Sequence, residues 1–264
     1  MTIYSSENDM AKHSYFHDNQ NPIHVEVFTT LQSISLPMVA TSLSRFFKTG
    51  KGEYGEGDKF LGIKVPQIHA IVKQYRNKIS ISDIDALTLS EWHEVRLAGF
   101  LFLEDKFNQA CKTNDIISQE QIVETYLNHI PRGNNWDLVD LVCHKILGKW
   151  IIIRPEQNKI LYSLANSDNL WCLRAAIVST LSLVRNNNFE HTLKIAELLL
   201  NHHHDLINKA VGWLLRESGK KSTDILEDFL QKHAPSMPRV TLRYAIERMP
   251  IEQRKYYMSI QKNK

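Results

Sequence analysis

The chain has 264 residues, of which 43% are hydrophobic and 23% charged, and this composition supplies a continuous apolar core and excludes wholesale disorder. Its ten glycines and eight prolines are too few for a many-turned β-sandwich, and its three widely spaced cysteines favour neither a disulfide framework nor a zinc knuckle. No apolar run reaches the roughly 18 residues of a membrane span, and the polar first residues lack the apolar segment of a signal peptide, so we expect a cytoplasmic protein.

The net charge of +3 is distributed unevenly along the chain. Residues 1–131 carry 12 basic and 16 acidic side chains, whereas residues 132–264 carry 20 basic and 13 acidic ones. A basic half suits a polyanionic partner such as DNA, because neutralised phosphates release counterions. Basic side chains also cover ordinary solvated surfaces, so charge alone leaves both interpretations open.

Residues 1–21 form a polar extension that we expect to be loosely ordered, and residues 22–264 are predicted to be one domain, because no shift of composition divides them. From about residue 24 to the C-terminus, apolar residues recur three and four positions apart, which predicts helices of about 10 to 20 residues. The predicted breaks between helices are residues 50–58, 114–115, 131–135, 168–169, 186–188, 201–205, 219–222 and 235–238.

The glycine-rich segment at residues 49–58 is the first break with a functional interpretation. It lacks the GxxxxGK[ST] order of a phosphate-binding loop and the apolar strand that precedes one. We therefore predict a mobile loop or a short hairpin. The functional alternative is a finger whose lysine and tyrosine touch a DNA groove or a strand junction.

Five later segments can be aligned with one another. They begin at Ser90, Asn134, Asp168, His204 and Ser236 and read SEWHEVRLAGFLFL, NNWDLVDLVCHKIL, DNLWCLRAAIVSTL, HDLINKAVGWLLRE and SMPRVTLRYAIERM. This period of about 30 to 45 residues predicts an all-α fold, an α-solenoid of HEAT-like antiparallel helix pairs. One pair cannot bury its apolar face alone, so neighbouring pairs stack, and we expect the functional site on the concave surface lined by their inner helices.

The segment NNWDLVD carries the most informative residues. Asn134 or Asn135 can cap the helix, and Asp137 can complement its positive N-terminal end. Trp136 and Asp140 lie four residues apart and so share one helical face. A tryptophan beside a carboxylate offers an apolar wall to a sugar ring and a negative charge to a developing cation. The structural alternative places Trp136 in the core and Asp140 in an ion pair.

Two further segments have unusual helix interiors. LWCLRAAI places Arg174 in an otherwise apolar helix, and KAVGWLLRE places Trp213 directly after a glycine. The three histidines at residues 202–204 invite a metal site, but consecutive residues cannot share one helical face, and no pattern of acidic or cysteine ligands surrounds them. We predict a solvated turn there and no metal site.

Four strings recur in the order and separation found in one known family: FLGIKVP at Phe60, NNWDLVD at Asn134, LWCLRAAI at Leu170 and NKAVGWLLRE at Asn208. With them, residues 40–250 resemble the AlkD family of DNA alkylation repair glycosylases, which are built from HEAT-like repeats. In that family the tryptophan and second aspartate of WDxVD, the arginine of WxxRxA and the tryptophan of KAxGW line the lesion site. The resemblance implies catalytic roles for Trp136, Asp140, Arg174 and Trp213.

The implied activity is hydrolysis of the N-glycosidic bond of cationic N3- and N7-alkylated purines in duplex DNA by a monofunctional glycosylase. Such a hydrolysis needs no metal or organic cofactor, and we expect a monomer. Asp140 is implied to stabilise the sugar cation and order a water, and Arg174 to hold a phosphate or orient Asp140. The candidate DNA-binding residues are Phe46, Lys51, Lys64, Lys209, Arg216 and Arg243.

The chain departs from the family at several positions. It inserts residues 48–58, and Phe46 stands where a tyrosine is expected. Lys64 occupies a polar position of the FLGIxxP string, and residues 204–206 stand where some relatives carry a phenylalanine pair. These positions bear on the range of substrates and on the affinity for DNA.

Two other functional classes stay open at the level of sequence. One is a non-catalytic DNA-binding protein for damaged or branched DNA, and the other is a protein-binding scaffold, which is a common role of solenoids. The presence of Asp140 with Trp136 and Trp213 favours the enzyme. Binding to DNA that weakens steeply with salt would separate the scaffold from the other two.

Overall fold

The computed structural model describes residues 21–260 of the chain. Within them there are sixteen α-helices and no strand, so the all-α prediction is confirmed. The extension predicted at residues 1–21 lies outside the described residues except for its last residue. Among the described helices, none combines the length and apolar character that crossing a membrane requires.

Six helices form the N-terminal half of the fold. They are α1 (Ile23–Ser33), α2 (Pro37–Phe46), α3 (Val65–Tyr75), α4 (Ile81–Thr88), α5 (His93–Lys112) and α6 (Ile116–His129). The longest is α5, whose residues 93–103 are all buried. A helix that is buried on every side lies in the interior, and α5 indeed contacts α3, α4 and α6.

Ten helices form the C-terminal half. They are α7 (Trp136–Asp140), α8 (Lys149–Ile153), α9 (Lys159–Ala165), α10 (Leu170–Ser179), α11 (Leu181–Arg185), α12 (Glu190–Leu199), α13 (Asp205–Lys221), α14 (Thr223–His233), α15 (Arg239–Ala245) and α16 (Ile251–Ser259). Residues 144–148 wind as a π-helical turn between α7 and α8. Side-chain caps fix several helix starts: Asn169, for example, accepts hydrogen bonds from the backbone N–H groups of Trp171 and Cys172.

The helices pack in a regular order around one core. Contacts run from α5 to α7, from α7 to α10, from α10 to α13 and from α13 to α15. The helices α4, α6, α9, α12 and α14 each pack against a member of this row. One cluster of buried side chains extends from Val27 to Tyr257, and each fully buried Leu, Ile, Val or Phe in it contributes about 1.5–3 kcal/mol. The row therefore brings residues from distant parts of the sequence to one surface.

The predicted helix breaks agree with the structure except near Gly219, where α13 runs on to Lys221. A methyl group on Gly219 would lie 2.3 Å from Cδ2 of Leu226, so this glycine permits close packing of α14 instead of ending a helix. The short breaks after Ser33, Tyr75 and Thr88 were not predicted, because they contain neither a proline–glycine pair nor an asparagine cluster.

Candidate functional site

A cavity of about 750 Å³ lies where α2, α7, α10, α13 and α15 meet. The structure brings seven of the predicted site residues into its lining: Phe46, Trp136, Asp140, Arg174, Lys209, Trp213 and Arg216. These residues come from α2 and from three helices of the row, α7, α10 and α13, which explains why no single stretch of sequence displays the site. The cavity is therefore the candidate functional site.

The floor of the cavity holds a bidentate ion pair. Arg174 donates from Nε to Oδ1 of Asp140 at 2.8 Å and from Nη2 to Oδ2 at 2.7 Å. Its remaining nitrogen, Nη1, donates to the carbonyl oxygen of Leu206 at 2.5 Å. All three guanidinium nitrogens thus have a partner within the protein, and three of the five N–H donors are used, so the contacts of Arg174 orient Asp140.

The carboxylate of Asp140 stays accessible although it is paired. Its side chain is 16% exposed, whereas that of Arg174 is 7% exposed. Burial raises the pKa of the Asp140 carboxyl above its ordinary value of 3.8, and the charge of Asp137 adds to the rise, whereas the Arg174 guanidinium opposes it. The result is a negatively charged group that is more basic than an ordinary aspartate and is open to the cavity.

Trp136 forms an aromatic wall beside this pair. Asn135 is fully buried, and its side-chain oxygen accepts a hydrogen bond from the Trp136 N–H at 2.9 Å, which confirms the predicted cap of α7. The Trp136 ring lies 6.0 Å from Phe46 and 5.4 Å from Phe47, measured between ring centroids. Because Phe46 is 62% exposed, it extends the apolar wall towards solvent.

The opposite wall comes from α13. Lys209, Trp213 and Arg216 are spaced four and three residues apart, which places them on one helical face. A methyl group on Gly212 would lie 2.5 Å from the backbone oxygen of Thr241, so only glycine allows α15 to approach this closely. That approach brings Tyr244 into the cavity wall.

Both cations of this wall are paired with carboxylates. Lys209 lies 2.6 Å from Asp205, and this hydrogen bond raises the pKa of the lysine. Arg216 pairs with Glu247 and Glu217. Because Lys209 and Asp205 are 40% and 56% exposed, the pairing is solvent-screened, and the lysine can exchange its partner for an incoming anion.

Three of the predicted DNA-binding residues lie outside the cavity. Lys51 is exposed in the glycine-rich loop, and Lys64 is exposed at the start of α3. Arg243 is exposed on α15, where it lines a separate hollow with Arg254 and Lys255. The neighbouring Tyr244 faces the main cavity, and one residue on a helix turns the side chain by about 100°. Charge alone could not indicate which of these side chains faces the site.

The lining also includes residues that the sequence analysis did not assign: Lys48, Tyr54, His204, Asp205, Leu206 and Tyr244. His204 was placed in a solvated turn, yet its Nδ1 accepts a hydrogen bond from the Leu206 N–H and it caps α13 at the cavity edge. Tyr54 belongs to the glycine-rich segment, for which a lysine- and tyrosine-bearing finger was the alternative prediction, and Lys48 directly precedes that segment.

A second charged cluster lies beneath the cavity, and it was not predicted. His93 contacts Asp58 through Nδ1 and Asp137 through Nε2, each at 2.9 Å. Arg96 donates to the other oxygen of Asp58 at 2.6 Å. We call these four residues the buried network. A usable signal was present in α5, because His93, Glu94 and Arg96 interrupt an apolar helix just as Arg174 interrupts α10.

The buried network anchors the segment at residues 49–58, which was predicted to be a mobile loop or a short hairpin. Asp58, at the end of this segment, has a fully buried side chain, so the loop is anchored to α5 at that end. At its other end the side-chain nitrogen of Asn135 donates to the carbonyl oxygen of Phe47 at 3.4 Å. Within the loop, the Gly55 N–H donates to the carbonyl oxygen of Lys48 at 3.0 Å. The loop is held at both ends, and its residue Tyr54 lines the cavity.

Comparison with known proteins agrees with the four motifs. The chain belongs to the DNA alkylation repair enzyme family, which matches it over residues 27–249. A solved structure described as a predicted DNA alkylation repair enzyme from Enterococcus faecalis is similar, with a TM-score of 0.68 at 20% identity, over 82% of this chain and 97% of that one. At this identity the likeness shows the fold. No curated protein matches the chain. The predicted resemblance to alkylation repair enzymes is confirmed.

Proposed function

We propose that the protein is a monofunctional DNA glycosylase that hydrolyses the N-glycosidic bond of cationic N3- and N7-alkylated purines in duplex DNA. One observation carries the proposal: the accessible carboxylate of Asp140, held in a bidentate pair by Arg174, lies in one cavity with Trp136 and Trp213. The family to which the chain belongs supports a DNA substrate. We propose that the protein acts as a monomer in the cytoplasm.

The chemistry requires charge stabilisation more than acid catalysis. Alkylation at N3 or N7 makes the purine cationic, so breaking the C1′–N bond sends the electron pair to a base that leaves neutral. Positive charge then develops on the deoxyribose, and the carboxylate of Asp140 stabilises it across the cavity. A water oxygen forms the new bond to C1′, and its proton passes to Asp140 and then to solvent. The raised pKa of Asp140 suits a group that accepts a proton transiently.

The aromatic and cationic side chains position the duplex. Trp136 and Trp213 pack on the sugar and backbone at the lesion, while Lys209 and Arg216 neutralise neighbouring phosphates. Phe46 extends the aromatic wall along the strand. The exposed side chains of Lys51, Lys64 and Arg243 contact the duplex outside the cavity.

We also propose that the helices form a single α-solenoid of HEAT-like antiparallel pairs over residues 22–264. The consecutive contacts of α5, α7, α10, α13 and α15, with outer helices packed against α5, α10 and α13, support this arrangement. In such a solenoid the row forms the inner surface, and the cavity lies on that surface.

Release of free bases from methylated duplex DNA tests the proposal. The protein is incubated with duplexes that contain N7-methylguanine or N3-methyladenine, and the released bases are separated by chromatography. We expect release of both bases well above the spontaneous rate. Salt-dependent duplex binding without release would favour the non-catalytic DNA-binding alternative, and absence of both would favour a protein-binding scaffold.

A further inference from the structure

The geometry of His93 favours a charged imidazole between two ionised carboxylates. Its two ring nitrogens each face a carboxylate oxygen at 2.9 Å, one from Asp58 and one from Asp137. A neutral imidazole has one N–H donor, so one of these contacts would then bring two lone pairs together. Only the imidazolium donates to both carboxylates at once.

The charges within the buried network balance when His93 is protonated. The carboxylates of Asp58 and Asp137 are then matched by the imidazolium and by the guanidinium of Arg96. Burial works against the charged ring, but the two carboxylates outweigh it and raise the pKa of His93 to about 9. Deprotonation leaves a net negative charge in an interior that is closed to solvent, which is costly.

Other groups around His93 do not replace this charge. The rings of Phe47 and Phe60 cover the imidazole at centroid distances of 5.0 and 4.4 Å. From the loop side, the carbonyl oxygen of Lys59 accepts a hydrogen bond from the backbone N–H of His93. The ammonium group of Lys59 pairs with Glu91. Glu94, next in α5, accepts backbone N–H groups of residues 61–63. On α7, Asp140 is already paired with Arg174.

The network joins two walls of the cavity. Asp58 ends the loop that carries Tyr54, and Asp137 lies in α7 directly after Trp136. Among residues 21–260, no donor reaches Oδ1 of Asp137, so its side chain depends on His93 alone for a hydrogen bond.

We infer that His93 is a positioning residue whose imidazolium holds α7, and with it Trp136 and Asp140, in register with the loop wall. His93 is 2% exposed and does not line the cavity, so it acts only through the groups it holds. The catalytic consequence rests on the proposed function, whereas the placement of Trp136 does not.

Trp136 fluorescence reports this placement without any substrate. The signal is the difference between the wild-type protein and Trp136→Phe during titration from pH 6 to 10.5, which removes the emission of the other tryptophans. We expect a transition near pH 9 in the wild type and none in His93→Gln. Asp137→Asn removes one of the two carboxylates that hold the proton, so its transition should move to lower pH. A wild type without a transition, or the same transition in His93→Gln, overturns the inference.

Single-turnover release of N7-methylguanine supplies the catalytic readout. We expect the wild-type rate, corrected for spontaneous loss, to fall above pH 9, whereas His93→Gln should be roughly 10- to 100-fold slower near neutral pH and should lack this alkaline fall. Duplex affinity should change by no more than about twofold, because the ring lies beneath the cavity. An unchanged rate and pH profile in folded His93→Gln also overturns the inference.

A matched control and a second variant keep the outcomes separate. His129 contacts Asp85 at 2.8 Å outside the cavity, so His129→Gln should leave both readouts unchanged. If the wild type releases no base, the proposed function fails, but the fluorescence titration still decides the role of His93. If His93→Gln does not fold, the shift in Asp137→Asn decides it: a lower midpoint supports the inference, and an unmoved one overturns it.

Discussion

The two charged clusters of this protein differ in their access to solvent and in their balance of charge. The pair of Asp140 and Arg174 opens into the cavity, and the aspartate retains exposed surface. The buried network of Asp58, His93, Arg96 and Asp137 is closed and becomes neutral only when the histidine is protonated. An open carboxylate can act on a ligand, whereas a closed cluster can act only by holding the backbone around it. The comparison therefore separates the proposed reacting group, Asp140, from the proposed positioning group, His93.

The largest expected effect is on base release, after a change in the pair of Asp140 and Arg174. Asp140→Asn keeps the size of the side chain and removes its negative charge, so stabilisation of about 3–4 kcal/mol is lost and single-turnover release of N7-methylguanine should fall roughly 100- to 1000-fold. Affinity for unmodified duplex should hold or rise slightly, because a negative charge has left a phosphate-binding surface. Asp205→Asn is the matched control, since Asp205 lies in the same cavity but pairs with Lys209. It should alter release by less than about tenfold. Equal losses in both variants would remove the special role of Asp140.

Removal of Arg174, the partner of Asp140, should lower the free energy of unfolding. Arg174→Ala leaves Asp140 as an uncompensated charge at the cavity floor and frees the carbonyl oxygen of Leu206, so the free energy of unfolding should fall by about 3–5 kcal/mol in urea titrations. The salt dependence of duplex binding should stay unchanged, because the guanidinium nitrogens already have partners within the protein. A salt slope that falls by one phosphate contact would show instead that Arg174 binds DNA directly.

The buried network predicts that the free energy of unfolding depends on pH. The pKa of His93 is about 9 in the folded protein against an ordinary 6.5, so its contribution is complete below about pH 6.5 and is lost as pH rises through 9. The free energy of unfolding should fall by on the order of 3 kcal/mol over this interval, and this dependence should be absent in His93→Gln. Urea titrations at pH 6.5, 8 and 9.5 measure it. Parallel curves for the two proteins would contradict the charge assignment.

The smallest expected effect concerns a cation on the cavity wall. Lys209→Ala should weaken duplex binding and reduce the salt slope by about one phosphate contact, with little change in stability. Lys194→Ala is the matched control, because Lys194 also pairs with a carboxylate four residues away, that of Glu190, and does not line the cavity. Binding isotherms at several salt concentrations should separate the two variants. Indistinguishable isotherms would exclude Lys209 from phosphate contact.

The sequence was sufficient for the open cluster because its residues stand out locally. Trp136 and Asp140 share a helical face by their spacing, and Arg174 interrupts an apolar helix. Periodicity predicts which residues are neighbours within one helix. The motif order of the family predicted that residues from different helices line one site. The contacts of Arg174 needed the structure, because the sequence does not show that its third nitrogen binds the carbonyl oxygen of Leu206.

The buried network was not predicted because its residues are far apart in the sequence. His93 joins Asp58 and Asp137 across 35 and 44 residues, and no helical period connects them. For the same reason the loop before Asp58 was predicted to be mobile. Its composition is typical of a flexible segment, and the anchoring contacts come from α5 and from Asn135.

The pH dependence of base release tests the central claim most directly. Single-turnover release of N7-methylguanine is measured from pH 4 to pH 8 and corrected for spontaneous loss. Because protonation removes the charge of Asp140, the rate should fall on the acid side, with a midpoint above the ordinary aspartate value of 3.8, and Asp140→Asn should lack this limb. A rate that is flat over this range in the folded wild-type protein, or an identical limb in Asp140→Asn, would contradict a catalytic carboxylate at this position.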